Sequence, residues 1–475
     1  MSHSTSTSRP ASMTRYGGRR LVATACAAAL LCAGSLGAQS APPWLNPYRR
    51  DAARLIRAAQ ADDFAYRRLA EMTDSFGARL SGTDNLRRAI AWAAETMKAD
   101  GLDNVRTEPV MVPHWVRGRE SGEMLEPTVQ TVALLGLGGS VTTPHGGIEA
   151  EVLTVSSFDD LEARRGEARG RIVLFNVAFT SYSDTVTYRT NGARVAAQYG
   201  ALASLVRSVG PIGLRTPHTG SVQYDGSQAK IPAASIAVED ANRIARLAAR
   251  GRRVRMRLVL ESRMEPDAES ANVIAEIRGR EKPDEIVLVG GHIDSWDVGS
   301  GASDDGVGCV VTWEALRLMR VLGIQPRRTV RLVLWTNEEN GFAGANAYAA
   351  RYAAAADRHV LALEADSGVF APAALGFSGT PAARTIVGQI TTTLLARLGF
   401  TSLGPTGGGA DVGPIAEAGD VPTVAYLGDT AKYFVIHHSA ADTVERISAE
   451  EVSKASAAIA VMTYVIADMP ERLPR

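Results

Sequence analysis

"VLVGGHIDSWDVGSGASDDGVG", residues 287–308, runs out of an apolar stretch into a turn-rich segment that holds one histidine and four aspartates. The apolar stretch is one of a series. "SANVIAEIRG" precedes it, and a helix-patterned "GCVVTWEALRLMRVLG", then "RTVRLVLWTNEE" and "HVLALEAD", follow it. Short apolar strands alternating with longer helical segments predict an α/β fold: a mostly parallel, mixed sheet with helices on both faces. In such sheets the functional residues belong at the carboxyl ends of the strands. His292, Asp294, Asp304, Asp305, Glu338, Glu339 and Asp366 all fall at or just beyond such ends, from three different strands. One crevice is expected to collect them.

Upstream, "NPYRRDAARLIRAAQADDFAYRRLAEMTDSFG" and "TDNLRRAIAWAAETMKADGL" carry apolar residues at three- and four-residue spacing and read as helices. "NVRTEPVMVPHWVRG" reads as a strand whose prolines favour a sheet edge. Between about residues 119 and 262 the texture changes to short β-rich units separated by Gly, Pro and Ser clusters, with one helix-like piece at "NGARVAAQYGALASLVRS". This predicts a β-rich domain, 119–262, inserted between an amino-terminal part of the main domain, 42–118, and its metal-binding core, 263–475.

The first 41 residues are different again. Arg15, Arg19 and Arg20 lead into "LVATACAAALLCAGSLGAQSA", a short apolar run followed by small residues, which is the layout of a secretory signal. Cleavage is expected between Leu36 and Ala41, giving an exported enzyme, periplasmic or secreted. An uncleaved anchor is the alternative, but the run is short and alanine-rich for a span. Cys26 and Cys32 lie in this segment, so the mature chain keeps only Cys309 and no internal disulfide. Cys309 itself reads as a small buried helix residue. Lys+Arg and Asp+Glu both total 51, which leaves no electrostatic footprint for nucleic acid or an anionic membrane.

A crevice with several carboxylates and one or two imidazoles cannot leave so much like charge uncompensated, because each carboxylate raises the pKa of the next unless a cation intervenes. Oxygen and imidazole ligands without thiolate suit catalytic zinc, with Mn²⁺ or Co²⁺ as chemical substitutes. Five or six convergent ligands are too many for one open tetrahedral ion. Two ions bridged by a carboxylate would use them all. Taken singly, "HxD" is more often a hydrogen-bonded pair, "EE" a solvated loop end and "DDG" a turn or cap. It is their joint order at strand ends that points to a site.

The four segments "GGHIDSWDVGSGASDDG", "LVLWTNEENGFAGA", "LEADSG" and "HHSAADT" resemble the M28 family of zinc metallopeptidases, and the likeness runs on through "GARLSGTDNLRRAI", "VPHWVRGRESGEMLEP" and "YVIADMPERLP". Residue by residue, the resemblance implies His292 and Asp366 on one zinc, Glu339 and His438 on the other, and Asp304 bridging both. It implies Glu338 as the catalytic base and a cis peptide between Asp304 and Asp305. Asp294 is implied as the carboxylate that orients the His292 imidazole. Many family members have Tyr directly before the last ligand; this chain has His437, which could donate a hydrogen bond to the oxyanion or pack aside. Segment 119–262 resembles the protease-associated domain that some members insert to cover or shape a cleft. His145 and His218 within it read as loop hydrogen-bonders rather than ligands.

The function expected is an exported two-zinc exopeptidase for short peptides, above all dipeptides with a free amino terminus. Glu338 would take a proton from a metal-bridging water and return it to the leaving amine. Asp411 or Asp429 would anchor the substrate amine. The resemblance implies a homodimer, and the balanced charge offers no repulsion against one. The rival readings are a single-zinc enzyme of glutaminyl cyclase type and a non-catalytic receptor-type homologue.

Overall fold

The computed structural model describes residues 42–226 and 229–475; the segment read as a secretory signal lies outside the described residues. Eight strands form the first sheet, in the spatial order Asp103–Val116, Arg263–Ile277, Arg328–Trp335, Lys282–His292, His359–Glu364, Thr423–Leu427, Ala374–Ser378, Leu403–Gly404. Four consecutive members, from Arg328–Trp335 to Thr423–Leu427, run parallel. Antiparallel strands flank them on both sides. The strand with Pro109 and Pro113 is at an edge, where a missing N–H breaks no ladder.

The central strand has no solvent face. Val287 and Val289 belong to a core shared with the helices Val307–Val321 and Ala449–Asp468. Ile286 and Leu288 belong to another, shared with Ala343–Tyr352 and Gly413–Gly419. Alternate side chains therefore serve opposite layers, which is why the strand reads as an unbroken apolar run. Gly291 and Gly308 allow the close approach of strand and helix: a Cβ at the first would overlap the Asp305 carboxylate, and one at the second would overlap the Ala365 carbonyl oxygen. Helix Ala449–Asp468 is started by a capping box, Ser448 Oγ accepting from the Glu451 amide at 3.2 Å while the Glu451 carboxylate accepts from the Ser448 amide at 3.2 Å. Such caps contribute about 1 kcal/mol.

A second eight-stranded sheet is built from residues between Glu120 and Leu260. The segment holds more helix than the one piece expected of it. Ile148–Val155, Ile172–Phe175, Ala203–Arg207 and Ala233–Ile236 are parallel, and helices Phe158–Ala163, Tyr182–Gln198 and Val238–Ala249 accompany them. In "IPAASIAVEDANRIARLAARG" the period changes from strand to helix within a few residues: Val238, Ala241 and Ile244 are all buried at three-residue spacing. Short strands followed at once by short helices had the texture of β units. Among the described residues no helix is long and apolar enough to cross a membrane.

Candidate metal centre and active-site cleft

The parallel strands deliver their carboxyl ends side by side. His292 is the last residue of its strand, Glu338 and Glu339 follow Trp335, and Asp366 follows Glu364. Asp304 and Asp305 occupy an irregular turn ahead of helix Val307–Val321 and are joined by a cis peptide. His437 and His438 come directly after helix Thr430–Ile436.

Asp304 is the centre of the constellation. Its Oδ1 is 3.3 Å from His292 Nε2, which is itself 3.5 Å from Asp366 Oδ1. Its Oδ2 is 3.3 Å from His438 Nε2 and 3.6 Å from His437 Nε2. His438 Nε2 is also 3.1 Å from Glu339 Oε2. Two groups that share Asp304, one with His292 and Asp366 and one with His437 and His438, each bring their ligand atoms within 4.8 Å of one another. His292 Nε2 and Asp304 Oδ2 are buried and make no hydrogen bond. Buried polar atoms normally have partners, and these two face the other donors of the cluster, so the residues present fit divalent cations.

The surroundings hold this arrangement rigidly. Asp442 accepts from the amides of Ser303 at 2.7 Å and Asp304 at 3.1 Å. Asp305 accepts from the His292 amide at 3.1 Å and from the Gly308 amide at 3.1 Å, so it binds backbone. Arg79, with no solvent exposure, donates to the carbonyls of Ile293, Ser300 and Gly301 at 2.8, 2.7 and 2.9 Å. It thereby ties both ends of the loop between His292 and Asp304 to one guanidinium, through hydrogen bonds of the stronger, charge-assisted kind.

Asp294 departs from the role expected for it. His292 Nδ1 meets the backbone carbonyl of Asp294 at 3.0 Å, while its carboxylate is 3.8 Å away. The carboxylate oxygens are taken by the amides of Glu338 at 3.1 Å and Glu339 at 3.3 Å. The chain turns so sharply after the strand that the carbonyl two residues on lies nearer the ring, and the freed carboxylate orients the two glutamates instead. Asp411 and Asp429 also lie elsewhere. Asp411 is 1% exposed and off the cleft wall, with its amide on Glu364. Asp429 caps helix Thr430–Ile436 by accepting from the Ala431 amide.

Burial, together with the neighbouring carboxylates of Asp366 and Glu339, pushes the Glu338 carboxyl well above its usual range. Burial opposes ionisation of Asp304, yet the imidazoles of His292 and His438 hold it well below that range. Burial and the adjacent His438 ring push His437 down, so its imidazole is neutral.

A cavity of about 560 Å³ opens onto Asp304, Glu338, Glu339, Asp366, His437 and His438. Its opposite wall comes from the second-sheet segment and includes Tyr182, Arg189, Ser221 and Gln223. Ser221 Oγ donates to the Glu339 carbonyl at 2.8 Å, which joins the two walls. Arg189 is 6% exposed, donates to Tyr182 Oη at 2.9 Å, makes no ion pair among the described residues and leaves its Nε without a partner. Tyr433, one turn before His437, also lines the cavity, and burial drives its phenol pKa well up. Neither side chain was singled out from the sequence: "YLGDTAKYF" reads as part of the pocket, but neither it nor "YRTNGA" shows which side chain reaches a cleft formed by distant segments.

Residues 272–463, which contain every candidate ligand, match Peptidase family M28. Carboxypeptidase Q of Bos taurus and of Homo sapiens are each 46% identical over 416 residues, 88% of this chain and 88% of theirs. The chain belongs to peptidase family M28. A crystal structure of a peptidase M28 precursor from Shewanella amazonensis SB2B superposes with TM-score 0.86 at 32% identity, covering 90% of this chain and 98% of that one. An aminopeptidase from Aneurinibacillus sp. strain AM-1, at 19% identity and TM-score 0.65 over 89% of this chain and 97% of its own, shares the fold. As an M28 member the chain is a zinc metallopeptidase, and the cluster around Asp304 is the only strand-end constellation among the described residues with imidazole and carboxylate donors for such an ion.

Proposed function

We propose that this M28 enzyme is an exported exopeptidase that uses two zinc ions to hydrolyse short peptides, dipeptides with a free amino terminus above all. The observation that carries this reading is the division of Asp304 between two clusters, Oδ1 toward His292 and Oδ2 toward His438. His292 and Asp366 would hold one ion, Glu339 and His438 the other, and Asp304 both. Zinc, when bound, supplies polarisation of the scissile carbonyl and a lowered pKa for the attacking water.

The remaining chemistry belongs to side chains. Glu338 sits on the cavity wall with its amide fixed by Asp294, and takes the proton from water and hands it to the leaving amine. Neutral His437 offers a ring N–H toward the developing oxyanion. Arg189 is a buried cation without a carboxylate partner on the cleft wall, and it suits the free carboxylate of a short substrate.

Segment 119–262 serves as the protease-associated cover: it supplies Arg189 and Tyr182 to the wall and limits entry to small peptides. Assembly as a homodimer would complete that cover, which light scattering tests: a mass of one chain with full activity excludes it. Export by cleavage between Leu36 and Ala41 is tested by sequencing the amino terminus of the exported protein, where an intact Met1 refutes it. The function itself is tested with dipeptides and their end-blocked derivatives on the zinc-loaded enzyme. Cleavage of unblocked dipeptides is expected. Hydrolysis confined to internal bonds of longer peptides would rule the reading out.

A further inference from the structure

The histidine pair after helix Thr430–Ile436 is buried in a conformation that its own segment does not stabilise. The helix has ended, so the carbonyls of His437 and His438 have no helical partner. His438 has φ +58°, the left-handed region that a side-chain-bearing residue rarely occupies unless its surroundings impose it. What imposes it comes from more than two hundred positions away in the chain. His218 Nδ1 lies 2.7 Å from the His437 carbonyl oxygen, the Thr219 amide donates to the His438 carbonyl at 2.8 Å, and the Thr219 carbonyl lies 3.4 Å from His438 Nδ1.

We propose that His218 is a positioning residue for this pair, its Nδ1–H holding the His437 carbonyl while the Thr219 amide fixes the backbone of His438. This rests on the assignment of His438 as a zinc ligand. It departs from the expectation that the second-sheet segment only covers the cleft.

Three features make the imidazole a built support. His218 is 1% exposed. Its amide donates to Ser208 Oγ at 2.9 Å, and that hydroxyl donates in turn to the Ile236 carbonyl at 2.9 Å, so the ring stands on the Ala233–Ile236 strand. Gly210 leaves the space the ring occupies: a Cβ there would come 2.9 Å from His218 Cε1 and 2.9 Å from the Phe434 carbonyl oxygen. A carbonyl acceptor at 2.7 Å fixes the Nδ1–H tautomer, and Nε2 is left buried without a partner. A ligating imidazole needs its other ring nitrogen and its backbone held by such outer groups, and removing them weakens metal binding by roughly 10- to 100-fold.

The test is a titration of zinc into the metal-free full chain against a competing chelator, for the wild type and for His218→Asn, His218→Leu, Gly210→Ala and His438→Ala. Asn places an amide nitrogen where Nδ1 stood; Leu has similar bulk and no donor. The expected result is that Leu weakens the same zinc ion that His438→Ala loses, by roughly 10- to 100-fold, and that Asn restores most of the affinity. Should Leu fail to fold by circular dichroism, Gly210→Ala, which displaces the ring from the other side, is expected to show the loss. Wild-type zinc affinity in His218→Leu, or in Gly210→Ala when it stands in, overturns the inference and leaves the ligand assignment intact. Equal losses in Leu and Asn overturn it too, because packing alone would then matter. If His438→Ala binds zinc as the wild type does, the ligand assignment has failed and the inference fails with it.

Discussion

His437 and His438 stack face to face, ring centroids 3.6 Å apart and planes 20° apart, with both Nε2 atoms turned toward Oδ2 of Asp304. Adjacent residues put their side chains on one side here because the chain leaves a helix at His437 and enters a left-handed turn at His438. The two rings are not equivalent. His438 is nearer Asp304, reaches Glu339 at 3.1 Å and has the Thr219 carbonyl at 3.4 Å and Arg189 Nη1 at 3.3 Å beside its Nδ1, whereas His437 Nδ1 is buried with no partner. A metal-bound imidazole normally has such an acceptor. His438→Ala is therefore expected to lose one of two zinc ions, and His437→Ala to keep both while kcat falls roughly 10²–10³-fold, as when one oxyanion donor is removed. Elemental analysis with steady-state kinetics checks this; one ion in the wild type would sink the two-zinc reading, and loss of metal in His437→Ala would reverse the assignment.

Glu338 and Glu339 are neighbours with different surroundings. Both line the cavity, but only Glu339 reaches an imidazole, 3.1 Å from His438 Nε2. Glu338→Gln removes the base and keeps size, so zinc content should stay while turnover drops roughly 10²–10⁴-fold. Glu339→Gln should lose zinc. Equal metal content in the two variants would refute the division of roles.

Arg189→Met tests the substrate's other end. Hydrogen bonds to charged groups contribute about 1.5–3 kcal/mol, so the KM for dipeptides with a free carboxylate should rise roughly 10- to 100-fold. Dipeptide amides should be affected far less. A uniform rise for both would assign Arg189 to general cleft structure.

His359 gives stability a pH dependence away from the metals. Burial first, and the Arg331 charge second, lower its pKa from 6.5 to about 4. The neutral ring fits its neighbours, with Nδ1 opposite the Ala356 carbonyl at 3.2 Å and Nε2 opposite Tyr348 Oη at 2.9 Å. The unfolded chain takes up the proton near pH 6.5 and the folded one only near pH 4. The contribution is thus complete above pH 6.5 and is lost as pH falls toward 4, at about 1.4 kcal/mol per unit. Denaturation of wild type and His359→Gln at pH 7 and pH 5 should show the wild type losing about 2 kcal/mol more than the variant. Parallel losses would exclude His359 as the source.

The strands and the acidic site were legible because each depends on local pattern. Unbroken apolar runs such as "IVLVGG" need helices on both faces, and residues that follow such runs must gather at one edge of a parallel sheet. What a carboxylate does there was less legible. Asp294 follows His292 at the spacing of a ring-orienting group, yet its oxygens hold the amides of Glu338 and Glu339, from another strand. Asp411 and Asp429 sit in loops near the cleft in sequence, and their chain directions turn them to Glu364 and to a helix start.

By itself the sequence determined that this protein has a parallel-sheet core, where its imidazoles and carboxylates converge, and that their charge calls for divalent cations, because periodicity and like-charge repulsion act over short stretches of chain. Only the tertiary structure decided which atoms meet. Arg189 at the cleft, His218 beneath the His437 carbonyl and Arg79 across the loop after His292 all make contacts between segments far apart in sequence, at distances of 2.7 to 3.3 Å. Hydrogen bonds weaken steeply with distance and angle, so such partners are fixed by how the two sheets pack and leave no periodic mark on the chain.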